Sequence, residues 1–174
     1  LGKETWIMRS LNVGVVAAVM IAVGGGCTNQ KSKEAAEGGK KITVADVPAK
    51  VMDSVNGRFP GAQVTSVERE VENGAVVYDF ELKQQGRKYE TDVKEDGTIM
   101  EIEKEVASKD VPAAVSAAVR AKYPQASVKE VMEVNTVKGK QETPDHYEVT
   151  LAGGKEVVVS LDGKSVTEEA ADEK

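Results

Sequence analysis

Two stretches of this chain repeat each other, and that repetition limits its fold more than any other feature. Residues 46–62, DVPAKVMDSVNGRFPGA, return 64 positions later as residues 110–126, DVPAAVSAAVRAKYPQA. Asp-Val-Pro, valines four apart and an aromatic-Pro pair recur in register. A chain of 174 residues fits one domain, or two small ones sharing a core, and here either must be built from one unit used twice.

Each copy opens on a helical pattern. Val47, Val51, Val55 and Phe59 form one apolar stripe, as do Val111, Val115, Val119 and Tyr123. Asp46 suits the cap of the first helix, and Pro48 suits its first turn, where a missing N–H costs nothing. Phe59 precedes Pro60 and Tyr123 precedes Pro124, which disfavours helical backbone there and predicts a stop near Arg58 in the first copy. Gly57 weakens that last turn, whereas the alanines of the second copy make it the better helix former.

After each helix the period falls to two, as half-buried strands require. Val64 to Glu72 leads into Asn73-Gly74, a strong hairpin signal, and Val76, Tyr78, Phe80 and Leu82 then alternate with Val77, Asp79 and Glu81. A turn at Gln84-Gln85-Gly86 precedes Tyr89, Thr91 and Val93, and a turn at Asp96-Gly97 precedes Met100, Ile102 and Val106. The second copy offers residues 128–137, then Tyr147, Val149 and Leu151, then Val157, Val159 and Leu161, and a short strand near residues 165–167. Its first hairpin is longer by five residues, which predicts an exposed loop over residues 138–146, KGKQETPDH. The expected fold is α+β: two repeats, each one helix followed by a three- to four-stranded antiparallel meander with the helix packed on one sheet face, and the sequence leaves open whether the two repeats share one continuous sheet.

The segment ahead of the repeats reads as an address. Met8-Arg9-Ser10 precedes an apolar run of 13 residues, LNVGVVAAVMIAV, then Gly24-Gly25-Gly26-Cys27. A basic start, a short apolar run and small residues describe a secretory signal, and the run is shorter than the roughly 20 residues of a membrane span. The cysteine after the small residues resembles a bacterial lipobox, with Cys27 the lipidated residue, although Gly24 stands where that pattern carries Leu, Val or Ile; the alternatives are an uncleaved anchor or ordinary signal cleavage. Met8, or Leu1 read from a non-standard start codon, both fit as the first residue. The expected layout is a signal over 1–27, a polar tether over 28–43, repeats over 44–106 and 107–168, and a charged tail over 169–174.

Composition excludes several classes of function. The net charge of −6 argues against nucleic acid, which demands a basic face. Cys27 is the single cysteine, so the repeats hold no disulfide. His146 is the single histidine and reads as an exposed loop residue, because one histidine supplies neither a two-histidine metal site nor a catalytic triad. Asp96-Gly97 and Asp162-Gly163 lack the spacing of a calcium loop and read as hairpin turns. Glu101, Glu103 and Glu105 alternate with apolar and basic residues as the wet face of a strand does. No phosphate loop and no nucleophile–base pairing is present, so neither cofactor, metal nor catalytic residue is expected and the protein reads as a non-enzyme.

The helix with Val-Pro-x-x-Val and a closing aromatic-Pro, followed by Tyr-x-Val-x-Leu strands and an Asp-Gly turn, resembles the PepSY-like family. It is most similar to the tandem beta-lactamase-inhibitor-like, PepSY-like periplasmic proteins, over about residues 44–167. The resemblance implies an envelope protein on the periplasmic side that binds or inhibits a protein partner. The secreted beta-lactamase inhibitor carries disulfides that are absent here, which speaks against a lactamase as the specific target. The expected docking surface is the sheet face away from the helices: Val77, Asp79, Glu81, Lys88, Glu90 and Asp92, with Glu148, Thr150, Glu156 and Val158. The partner is an unidentified envelope protein, with membrane contact only through a lipid on Cys27. The alternative is binding of a small ligand or a calcium-like cation by the acidic strands and the 138–146 loop.

Overall fold

The structure is a computed structural model that describes residues 39–72 and 74–168. The lipobox with Cys27, Asn73 and the tail over 169–174 lie outside the described residues.

Strands β1 (Lys40–Lys41), β2 (Gln63–Glu72), β3 (Ala75–Gln84), β4 (Arg87–Lys94) and β5 (Ile99–Glu105) are followed by β6 (Val128–Lys138), β7 (Gln141–Leu151), β8 (Glu156–Ser160) and β9 (Val166–Glu168). They form one antiparallel sheet in which each strand pairs with its neighbours in sequence. Helix α1 (Ala49–Arg58) lies between β1 and β2, and α2 (Ala113–Lys122) between β5 and β6. The expectation of two repeats, each a helix on a three- to four-stranded meander, is therefore corrected. β5 pairs directly with β6, from Glu101 opposite Thr136 to Glu105 opposite Met132, so the strands of both copies belong to one nine-stranded sheet with two ten-residue helices added. The sequence pattern reports which residues alternate but not which strand edges meet, and an edge that is open in one copy is satisfied here by the other.

The helix boundaries follow the local chemistry. α1 ends at Arg58 and α2 at Lys122, each before an aromatic residue that precedes proline. Pro48 sits at the cap of α1 rather than in its first turn. Asp46 caps no part of α1: its carboxylate accepts the Thr43 N–H at 3.1 Å and the Thr43 hydroxyl at 2.7 Å, closing a separate 3-10 turn over Val44–Asp46.

Two hydrophobic clusters form. Val51, Val55 and Phe59 are buried with Val67, Tyr78, Phe80, Leu82, Val93 and Ile102. Val115 and Val119 are buried with Val131, Tyr147, Val149, Leu151, Val157 and Val159. The longer hairpin of the second copy is not a loop. β6 and β7 continue their ladder to Lys138 opposite Gln141, so residues 141–146 are strand and only Gly139 and Lys140 turn. Val137, near that tip, packs against the first cluster.

The recurring Asp-Gly turns have a packing reason. Gly97 has φ +82° and a Cβ there would lie 3.0 Å from the Lys50 carbonyl oxygen of α1. Gly163 has φ +69° and its Cβ would lie 2.6 Å from the Ala114 carbonyl oxygen of α2. Each turn closes against a helix backbone that cannot retreat. Gly139 has φ +62° but open space around it. Gly163→Ala is therefore expected to cost more stability than Gly139→Ala in denaturant unfolding. The strain of a left-handed alanine, about 1–2 kcal/mol, is common to both, and the excess measures the close approach. Equal losses would show that the turn does not depend on that contact.

Candidate functional site

Residues paired across an antiparallel ladder point to the same face, so the register fixes which side chains share a surface. One row away from the two clusters runs Glu68, Asp79, Asp92, Glu101 and Thr136 over β2 to β6. The next runs Ser66, Glu81, Glu90, Glu103, Val134, His146 and Ser160 over β2 to β8. A third holds Glu105, Met132, Glu148, Val158 and Thr167. Thr150 and Glu156 pair beyond it with Glu130. Val77 lies opposite Lys94, and Lys88 opposite Lys83.

All ten residues expected on the docking face are thus on one face of the sheet. Two are not open to a partner: Val77 is 2% and Glu148 7% exposed. Side chains on neighbouring strands stand about 5 Å apart, so long polar side chains shield shorter or inner ones even on a face that carries no helix. Glu68, Glu101, Glu103, Glu105 and Glu130 also belong to this face; Glu101, Glu103 and Glu105 read as the wet face of a strand, but none of the five is in the expected docking set. The alternation of Glu101, Glu103 and Glu105 was the available signal. Only the β5–β6 pairing turns that strand edge into the middle of a continuous surface.

Two basic groups are set into these rows. Lys88 Nζ meets Glu90 at 2.7 Å and Glu130 at 3.1 Å, and the Lys88 N–H donates to Glu105 at 3.0 Å. Burial acts to lower the Lys88 ammonium, but the hydrogen bonds and charges of Glu90 and Glu130 outweigh it and hold it above its ordinary value. Lys88 therefore stays charged and ties β4 to β6 across β5.

His146 is the second. Instead of an exposed loop residue it is a half-buried strand residue between Val134 and Ser160. Its Nδ1 lies 2.9 Å from the Asp145 carboxylate and its Nε2 3.4 Å from that of Glu148. Burial acts to lower the imidazole, yet the bonds to Glu148 and Asp145, with the charges of Glu148 and Glu101, raise it above the ordinary 6.5.

On the opposite side of the sheet a polar seam separates the two clusters. Lys104 and Glu133 face each other across β5 and β6, as do Ile102 and Asn135. Asn135 is 2% exposed, and its amide donates to the Glu133 carbonyl at 3.0 Å and the Ile102 carbonyl at 3.4 Å. Tyr147 donates its hydroxyl to Glu133 at 3.2 Å. Glu142, near the tip of the β6–β7 hairpin, pairs with both Arg58 of α1 and Lys104 of β5. Burial, then the nearby charges of Arg58 and Arg87, lower the Lys104 ammonium against the opposing pull of Glu133. Among the described residues no three His, Cys, Asp or Glu side chains are grouped so as to hold a metal ion. The chemistry on offer is charge presentation over a wide face.

The model of a family described as beta-lactamase-inhibitor-like, PepSY-like matches residues 33–99 and, overlapping these, 77–166. Among solved structures, a protein from Bacteroides eggerthii described as periplasmic is 15% identical, and the match covers 70% of this chain and 88% of that one at a TM-score of 0.53. A BLIP-like protein from Bacteroides fragilis is 20% identical over 73% of this chain and 90% of its own, at a TM-score of 0.49. No curated protein matches the chain.

The raised His146 value sets a direction for stability against pH. A group whose folded value lies above its unfolded one stabilises fully below the unfolded value, here near 6.5, and that contribution is lost as pH rises through the folded value. The native chain should therefore exceed His146→Gln in denaturant midpoint by more at pH 5.5 than at pH 8.5. A gap that is constant or widens with pH contradicts the assignment of the Asp145 and Glu148 contacts to a charged imidazole.

Proposed function

The chain belongs to the beta-lactamase-inhibitor-like, PepSY-like family, and from that membership and the acidic face of its sheet we propose that it is a non-enzymatic binding module of the bacterial cell envelope. It docks a protein partner on that face and inhibits it. The carrying observation is the pair of carboxylate rows. Asp79 lies directly opposite Asp92, Glu81 opposite Glu90, and Glu90 opposite Glu103. Lys88 offsets Glu90 within these rows, and the net acidic surface that remains is complementary to a basic patch on a partner.

The description of the Bacteroides eggerthii protein as periplasmic supports an export destination, in keeping with the apolar run and Cys27, which we read as the lipid anchor. The division into units over 44–106 and 107–168 is supported by the caps: Pro48 and Pro112 share φ −55°, with ψ 139° and 138°, and Phe59 and Tyr123 share ψ 66°.

Two measurements test this reading. Residues 40–174 used as bait in envelope extract should enrich one dominant protein. Asp79→Lys with Asp92→Lys, both half-buried at the centre of the face, should lose it by tenfold or more, and higher salt should weaken the native complex. Retention by the charge-reversed bait sinks the proposed surface, and inhibition is then assayed on the enriched protein itself. Separately, Cys27→Ser should move the protein from the membrane to the soluble envelope fraction; unchanged membrane association removes the anchor assignment.

A further inference from the structure

The β6–β7 ladder contains an irregularity at one place that matters for the hairpin beyond it. Val134 pairs with His146 and Asn135 with Pro144, so Asp145 is an extra residue on β7. A bulge of this kind bends its strand and re-aims the segment beyond it. That segment is an arm, with Thr136 opposite Thr143, Val137 opposite Glu142 and Lys138 opposite Gln141. β8 pairs with β7 only from His146 to Thr150, so it gives the arm no support. The arm is held to the first half by the backbone pairing of Thr136 with Glu101 at its base, and beyond that by Val137 against the first cluster and Glu142 on Arg58 and Lys104.

The imidazole of His146 sits at the root of this arm and ties the bulged residue to the body of β7. It reaches Asp145 through Nδ1 and Glu148 through Nε2. A charged imidazole donates from both nitrogens at once, whereas a neutral one has a single N–H and keeps only one of the two bonds. The other groups that face it do not replace the lost one. Val134, Met132 and Thr136 of β6 and Ser160 and Val158 of β8 carry no charge, and the Ser160 hydroxyl is given to Asp162 at 2.8 Å. Glu101 and Glu103, one strand further over on β5, are acidic and oppose the loss of the proton. We propose that the bulge at Asp145 is a proton-operated joint: the charged imidazole of His146, bridging Asp145 and Glu148, holds the arm against α1, and the neutral imidazole lets it lift. The joint acts within the fold and is independent of which partner the acidic face takes.

The test is a nuclear magnetic resonance titration of the intact chain from pH 5.5 to 8.5, a window above the usual range of carboxylates. The Val137 methyls and the Glu142 amide should shift with the same midpoint as the His146 ring protons, and that midpoint should lie above 6.5. Amide-exchange protection over residues 136–138 and 141–143, corrected for the intrinsic effect of pH, should fall about tenfold across the transition, as the loss of one charge-assisted hydrogen bond implies. In His146→Gln both responses should vanish. Asp145→Asn, which keeps the histidine, should move the ring midpoint and the arm midpoint down together, and it carries the test if His146→Gln does not fold. A ring that titrates while the arm signals stay still, or arm signals that titrate equally without the histidine, overturns the joint.

Discussion

One run of backbone hydrogen bonds, continuous from β1 to β9, holds together what the side chains leave apart. The apolar residues form two clusters rather than one, each centred on two helical valines and the strands they meet. Between them the unbroken structure is the ladder from β5 to β6. Because backbone pairing is indifferent to side-chain type, it can cross a strip of polar residues that a hydrophobic core could not. The breadth of the acidic face depends on the same pairing, since rows that begin on β2 and continue to β8 exist only if both halves share one sheet.

The polar seam is the strip that neither apolar cluster includes. Lys104, Glu133 and Asn135 lie on it, and their polar atoms are engaged by Glu142, Tyr147 and backbone carbonyls. Buried polar groups cost little when every partner is supplied and a great deal when one is removed. The seam therefore contributes registration of the two halves more than net stability, which comes from the two apolar clusters on either side.

Much of this was legible in the sequence, and the remainder was hidden for physical reasons. The helices, their stops at Phe59 and Tyr123, the Asp-Gly turns and the alternation within each strand all rest on local chemistry and on the periods of four and two. Sheet continuity was not legible, because alternation within a strand carries no information on which edges meet. The 138–146 segment misled because five extra residues between two strands read as a longer loop, whereas they lengthen the ladder, and Pro144 is tolerated there because β8 does not reach it. His146 was misplaced with it. Asp46 looked like the cap of α1, but one acceptor serves only the nearest donors, and Thr43 supplies two of them.

The order of the strands also bears on how such a chain acquires its structure. Most neighbouring strands are joined by a few residues, so their pairing closes small loops and proceeds with little entropy to overcome. The β5–β6 pair is joined through residues 106–127, which include α2, and β1 must reach β2 around α1 over residues 42–62. Loop-closure cost grows with the logarithm of length, and local contacts speed folding where distant ones slow it. Hairpins within each half can therefore zip early, while the central junction waits until α2 has shortened its connection. The ladder on which the shared surface depends is then among the slow ones, and until it forms the two halves are separate, each with an open strand edge facing the solvent.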